Sequence, residues 1–385
     1  RMYSALPEVS SAAWASIVTG TNPGTHNIFG FTDIIDGSYT QAFTSDRTLK
    51  ARPFWQWNED RRNLIMNVPQ TYPAAPLSGI MVSGYVALDL EKSVYPPERV
   101  PFFEENHYQI DVDMSVIQQS RELFLQDINT VLDTRFDVFR QLMSEDAYDT
   151  AMFVITGTDR LCHYMWDQWT DSDASLHEGF LSFFKNVDEK IGDICDMLTP
   201  DDELFLVSDH GFECQERIVN VNRILQDHGY LKLDPEAPPS PMAIQPETRA
   251  FCMTPGRVYF HRDNRFPQGP VSDEDVEGLY ADLSQLFSGY ALDDGTKPVA
   301  EIFRGETIYS GPMTARAPDM VLLGSAGTSL SGRFQTDTLL EETDITGNHK
   351  YDDAVFVHSG PSTVDLPETV HVENVLDIIR QTDAL

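Results

Sequence analysis

Basic residues are scarce in this chain. Only 27 Lys and Arg stand against 61 Asp and Glu in 385 residues, a formal net charge of -34. A surface of that sign repels duplex nucleic acid and anionic membrane, so recognition of nucleic acid through a basic face is disfavoured. The same balance describes a solvated acidic surface and is also what a salt-adapted proteome shows. Cysteine is scarce as well: Cys162, Cys195, Cys214 and Cys252 fall without C-x-x-C spacing, which excludes a disulfide framework and a thiolate zinc site. Ordinary thiols in a reducing, cytoplasmic setting are the expectation. No apolar run reaches the length of about eighteen residues that a membrane-crossing helix needs, and no signal-peptide pattern opens the chain. Internal repeats and low-complexity tracts are missing too.

What is present is apolar mass. With 41% hydrophobic and 11% aromatic residues, the chain can bury a large core, as one big domain or one domain with a substantial insertion. Met152 to Ile155, Leu204 to Val207 and Ala354 to Val357 are short, rich in β-formers and flanked by polar residues, as buried strands of a central sheet are. Between the first two, Leu176 to Leu198 carries Phe180, Phe183, Phe184, Val187, Ile191, Ile194 and Leu198 at helical spacing and is closed by Pro200. Strand, helix, strand predicts an α/β fold. Residues 32–101, aromatic and punctuated by Pro and Gly, read as loops and short elements covering the sheet edge or site. Asp234 to Pro246 has five prolines and reads as an extended connection into a second inserted region, and Met114 to Leu142 has the period of one or two helices. The division expected is a core of residues 1–31 and 102–233, an insertion or cap at 32–101, a second insertion at 234–345, and a return to the core at 346–385.

Four fragments carry the chemistry. In VSSAAWASIVTG, Ser10 stands between a strand predicted over Met2 to Leu6 and a helix predicted from near Ala12. A nucleophile there would meet the free N–H groups and dipole of a helix N-terminus, which favour phosphate oxygens; the competing reading is that Ser10 or Ser11 caps the helix. TGTDRLCHYMW sets Asp159 and His163 four residues apart, so a helix would aim both at one cation. The alternative is an exposed acid beside an unrelated imidazole. LFLVSDHGF puts Asp209 and His210 at the carboxyl end of an apolar strand, where ligands gather in open α/β sheets; a capped turn is the alternative. TGNHKYDDAVF brings His349 in just before another strand. Oxygen and imidazole donors without thiolates suit zinc or manganese. Bound cations would also draw an anionic substrate to an acidic protein.

The order of a nucleophile region, D-x-x-x-H, S-D-H-G and a late G-x-H resembles the type I phosphodiesterase and nucleotide pyrophosphatase branch of the alkaline phosphatase superfamily. WASIVTGTNPGTHNIFGF, NVPQTYPAAPLSGIMVSGY, FVITGTDRLCH, VSDHGFE and FRGETIYSGP are more specifically similar to predicted phosphohydrolases or phosphomutases of that group. The resemblance implies a mixed, mostly parallel central sheet flanked by helices, with inserted cap regions. It implies two divalent metal ions, zinc or else manganese: Asp159, His163 and His349 would hold one, Asp209 and His210 the other, with Ser10 bridging toward both as nucleophile of a phosphate-ester hydrolysis. Arg160 and Lys350, neighbours of these ligands, are candidate contacts to a small phosphate-ester substrate.

Several departures are visible. The family has Thr at the Ser10 position within a V-T-x-P-A-W pattern, whereas here Ser10 is followed by Ser11, Ala12 and Ala13; either hydroxyl can attack phosphorus. Nucleotide pyrophosphatases have Asn where Ala13 stands, so the resemblance does not carry nucleotide recognition over. It also implies a further metal-binding Asp on a strand upstream of Arg1, so a truncated amino terminus is expected. Phosphotransferase or phosphomutase chemistry is the alternative within the fold, and a non-catalytic metal-binding protein the alternative outside enzymes. A sulfatase is disfavoured because C/S-x-P-x-R is missing around Ser10. Oligomeric state is left open.

Overall fold

The computed structural model describes residues 1–382 and 385. Helix α1 (Ser10–Thr19) starts at Ser10 rather than near Ala12, because Val9 takes the extended capping position and contributes no side-chain cap. Neither serine caps the helix. Gly20, in the left-handed conformation, ends it by donating its N–H to the Ser16 carbonyl.

Residues 32–101 are not only loops. They contain strands β1 (Asn63–Val68) and β2 (Gly79–Ser83), which pair in parallel. Asn63, Asn67 and the neighbouring Gly and Pro residues interrupt the apolar pattern that would have announced them. Gly79 is required: at φ +121°, a Cβ would lie 1.9 Å from the Asn63 carbonyl oxygen.

Helix α2 (Arg121–Glu145), capped by the Ser120 hydroxyl accepting from the Leu123 N–H, leads to β3 (Thr150–Phe153), which pairs in parallel with β1. Val94–Tyr95 adds an antiparallel fourth strand beyond β2. Side chains of β1 alternate between two buried faces. Leu64 and Met66 pack with Phe136, Phe139 and Leu142 of α2, whereas Ile65 and Val68 join the core that contains Ala13, Ile17 and Val18 of α1. Burying each of the larger ones stabilises by about 1.5–3 kcal/mol relative to exposure.

Helix α3 (Gly157–Thr170) follows β3 directly and packs beside α4 (His177–Met197), the helix expected over 176–198. Strand β4 (Leu204–Val207) matches the sequence reading, and β5 (Gly211–Cys214) comes next. After the chain returns, β6 (Gly347–Lys350) pairs antiparallel with β5, and β7 (Phe356–Ser359) antiparallel with β4. The first, second and last strands expected are displaced: Met2–Tyr3 is shorter than Met2 to Leu6, β3 precedes Met152 to Ile155 by two residues, and β7 follows Ala354 to Val357 by two. Hydrophobicity marks buried side chains, whereas ladder hydrogen bonds mark strands. Helix α5 (Val375–Ile379) packs against α1.

The architecture is α/β with mixed parallel and antiparallel sheets. Beyond Asp234, Ala250–Met253, Arg257–Phe260, Met320–Gly324 and Val299–Arg304 form a four-stranded antiparallel sheet, with Val276–Gly289 contributing helical packing to the same core. That core also takes in Val219, Ile224 and Leu225, upstream of the proline-rich segment. All four cysteines are free thiols, Cys162 and Cys252 buried. No helix among the described residues is long and apolar enough to cross a membrane.

Candidate metal centre and nucleophile

Three chain segments meet beyond the carboxyl ends of β3 and β4. Asp159 sits in the first turn of α3 and His163 one turn later, so both project from one face. Asp209 and His210 lie in the turn between β4 and β5. The register of β5 and β6 sets His349 opposite Phe212. Helix α3 is tied to β6 at the site itself: the Thr346 N–H donates to the His163 carbonyl at 2.7 Å, and His163 Nδ1 lies 2.9 Å from the Gly347 carbonyl.

The imidazoles share one arrangement. His163 Nδ1 faces the Gly347 carbonyl, His349 Nδ1 the Glu8 carbonyl at 2.8 Å, and His210 Nδ1 the Gly211 carbonyl at 3.1 Å. A carbonyl can only accept, so each Nδ1 carries a proton and each ring, when neutral, presents a bare Nε2 lone pair inward. His163 and His349 thus hold two Nε2 atoms 3.0 Å apart. Asp159 Oδ1 lies 3.5 Å from His163 Nε2, 3.3 Å from His349 Nε2 and 3.8 Å from His210 Nε2. It is buried without a hydrogen-bond partner, and so is Asp209 Oδ2. Converging lone pairs and orphaned carboxylate oxygens are costly unless a cation satisfies them. The donor set therefore fits a divalent metal of the zinc or manganese type.

Candidate ligand atoms of Asp159, His163 and His349 all lie within 4.8 Å of one another. Beside them, Asp209 Oδ2 is 3.2 Å from His210 Nε2, and the His210 ring stacks on that of His349 with centroids 3.6 Å apart. Ser10 Oγ is 3.0 Å from His210 Nε2. Six side chains from four separate chain segments are thus brought together.

Charge states follow from these contacts. Burial raises the Asp159 carboxyl, but His163, His349 and Arg160 outweigh it and hold the group far below its usual range. Asp209, also lifted by burial, is lowered by His210. Burial pulls His163 down to about 4 against the attraction of Asp159, whereas for His210 the pull of Asp209 overcomes burial and raises it to about 9. A cation arriving there would displace a proton from His210.

A cavity of about 1470 Å³ opens onto Ser10, Asp159, Arg160, His163, Asp209 and His349. Residues of β3 and β4, which do not pair with each other, also line it. Arg160 is therefore at the site. Lys350 is not among the lining residues, and its Nζ lies 3.8 Å from Asp353. Within the aromatic segment 32–101, Phe54 and Trp55 are buried in the core, Phe54 also lining the cavity.

Sequence reasoning missed three groups. Glu8, two residues before Ser10, is a buried carboxyl pushed up to about 7 by burial, and its carbonyl orients His349. Phe212 packs against His163, His210 and His349 in T-shaped contacts; its place just after S-D-H-G was the available signal. Asp111 grips Arg160, and no local pattern announces it.

A family model described as type I phosphodiesterase / nucleotide pyrophosphatase matches residues 1–352. Comparison with curated protein sequences finds no match. Among solved structures, phosphonoacetate hydrolase from Sinorhizobium meliloti 1021 in complex with phosphonoacetate is similar at TM-score 0.62 and 13% identity, over 100% of this chain and 86% of that one. Murine ectonucleotide pyrophosphatase / phosphodiesterase 5, as an inactive variant in complex with AMP, is similar at TM-score 0.54 and 13% identity, over 100% and 87%. At such identities the likeness is one of fold.

Proposed function

The chain belongs to the type I phosphodiesterase / nucleotide pyrophosphatase family, and from that premise we propose that it hydrolyses small phosphate esters through Ser10 with two divalent cations. One would be held by Asp159, His163 and His349, the other by Asp209 and His210. The observation that carries the reading is the inward aim of three imidazole Nε2 lone pairs and two orphaned carboxylate oxygens beside a serine hydroxyl. Bound cations would lower the pKa of that hydroxyl and offset charge on the phosphoryl oxygens.

Ser10, as the first residue of α1, would attack phosphorus where the helix dipole favours negative oxygen. The Oγ–P bond forms as the ester P–O bond breaks, and the leaving oxygen departs as an alcohol after taking a proton. Water then attacks the phosphoseryl group, releasing phosphate or a monoester and restoring the hydroxyl. The cleft's aromatic wall, Phe31 and Tyr85 with ring centroids 5.4 Å apart, supports an organic leaving group at that side.

The test is Ser10→Ala assayed on aryl phosphate mono- and diesters. Turnover is expected to fall by several orders of magnitude while zinc affinity changes little. Undiminished turnover would remove Ser10 from the reaction. A wild-type protein that binds zinc yet turns over no ester would instead be a binding protein. Phosphorylated alcohols appearing when competing alcohols are added would mark a transferase.

A further inference from the structure

The metal triad uses one oxygen of Asp159; the other is held by a side chain that is itself held. Arg160 donates from Nη1 to Asp159 Oδ2 at 3.2 Å, and from Nε and Nη2 to Asp111 Oδ2 at 3.2 and 2.6 Å. Its guanidinium carbon stands 4.4 Å from the centroid of the Tyr85 ring. The Arg160 and Asp111 side chains retain only 14% and 18% of their exposure, so water competes weakly for these bonds. An arginine fork gripped at one edge and stacked on one face has a single orientation left. That orientation turns Asp159 so that Oδ1, the orphaned oxygen, faces His163 and His349.

The segment that carries Asp111 is braced in turn. Arg135 of α2, 2% exposed, donates from Nε to the Gln109 carbonyl at 2.8 Å and from Nη1 to the Thr156 hydroxyl at 2.9 Å. Thr156 immediately precedes α3, and its carbonyl accepts the Arg160 N–H at 3.2 Å. One buried arginine therefore ties the Asp111 segment to the start of the helix that carries Asp159.

Charge decides why an acid is needed at position 111. Alone, Arg160 would be a full positive charge 3.2 Å from the carboxylate, competing with any cation for Asp159. Asp111 takes up most of that attraction, leaving Asp159 as a stronger donor to metal while keeping it oriented.

We propose that Asp111 is a positioning residue that acts through Arg160 to hold Asp159 in its metal-binding orientation. This rests on the reading of Asp159, His163 and His349 as a metal site. Ligand-orienting partners of this kind change metal affinity by about 10–100-fold when removed.

The experiment measures zinc affinity by chelator competition for the wild-type chain, Asp111→Asn, Arg160→Gln and the double variant, with folding of each followed by circular dichroism. The proposal expects a loss of about 10–100-fold in Asp111→Asn with an unchanged spectrum. It expects the double variant to bind no more weakly than Arg160→Gln, since Asp111 works only through Arg160. Affinity in Asp111→Asn within about twofold of wild type, well short of the loss that a ligand-orienting partner gives, or additive losses in the double variant, would overturn it. A loss of folded signal without a change in affinity of the remaining folded protein would overturn it equally. Wild-type protein that binds no zinc would defeat the metal reading itself and is told apart by being seen before any substitution.

Discussion

His26 is fully buried just beyond α1, where burial lowers it from 6.5 to about 3. Its Nδ1 accepts the Ile28 N–H at 3.1 Å, so the proton sits on Nε2, which donates to the Ser16 hydroxyl at 3.0 Å. A base depressed on folding is neutral in both states above its ordinary value, so its environment costs no stability there. As pH falls from about 6.5 toward 3, the unfolded chain takes up a proton that the folded one refuses. Stability is then lost by about 1.4 kcal/mol per pH unit from this group. Urea unfolding at pH 7, 6, 5 and 4 should show this slope, and His26→Gln should flatten it while lowering stability at about pH 7 by about 1–3 kcal/mol for the buried bonds it breaks. Equal slopes in the two proteins would assign the acid sensitivity elsewhere.

At the scale of elements, the site depends on how closely β6 approaches α3. Gly347 sits where a Cβ would lie 2.2 Å from the Cys162 carbonyl oxygen and 3.0 Å from the Trp166 Cβ. Its own carbonyl orients His163. Gly347→Ala must therefore push the strand away from the helix, which is expected to cost about 1–3 kcal/mol as overpacking. Because His349 and His163 ride on the two elements being separated, zinc affinity should fall with it. A Gly347→Ala protein with wild-type Tm and zinc affinity would show that the elements can shift without disturbing the triad. Gly211, between His210 and Phe212, is confined in the same way by Asp353, with a Cβ contact of 2.6 Å.

The whole molecule carries -34 formal charges, and compact folding brings them within range of one another. Self-repulsion of this kind weakens the folded state and is screened over about 10 Å at 0.1 M salt and about 3 Å at 1 M. Tm is expected to rise as sodium chloride is raised from about 0.01 M toward 1 M. A flat or falling Tm across that range would show that the acidic groups are already neutralised locally. Exposed ion pairs such as Arg140 with Asp137 and Arg380 with Asp377, both largely open to solvent, offset little of the repulsion.

Much of the site was legible because its parts are local. Asp159 and His163 are one helical turn apart, Asp209 and His210 close an apolar strand, and such short patterns survive without knowledge of the rest of the chain. Strand β4 and helix α4 were legible for the same reason, as uninterrupted apolar periodicity. Strands β1 and β2 were not, since Asn, Pro and Gly dilute their pattern while neighbouring strands on either side bury them. The residues alone therefore determined an acidic α/β protein with a serine and an acid–imidazole set suited to divalent metal. Tertiary structure alone decided which oxygen of Asp159 is left free, that Glu8 and Gly347 carbonyls turn the histidines, that Asp111 meets Arg160, and that Lys350 stands aside. Those outcomes rest on contacts between segments tens to hundreds of residues apart, and no spacing along the chain encodes a distance across the fold.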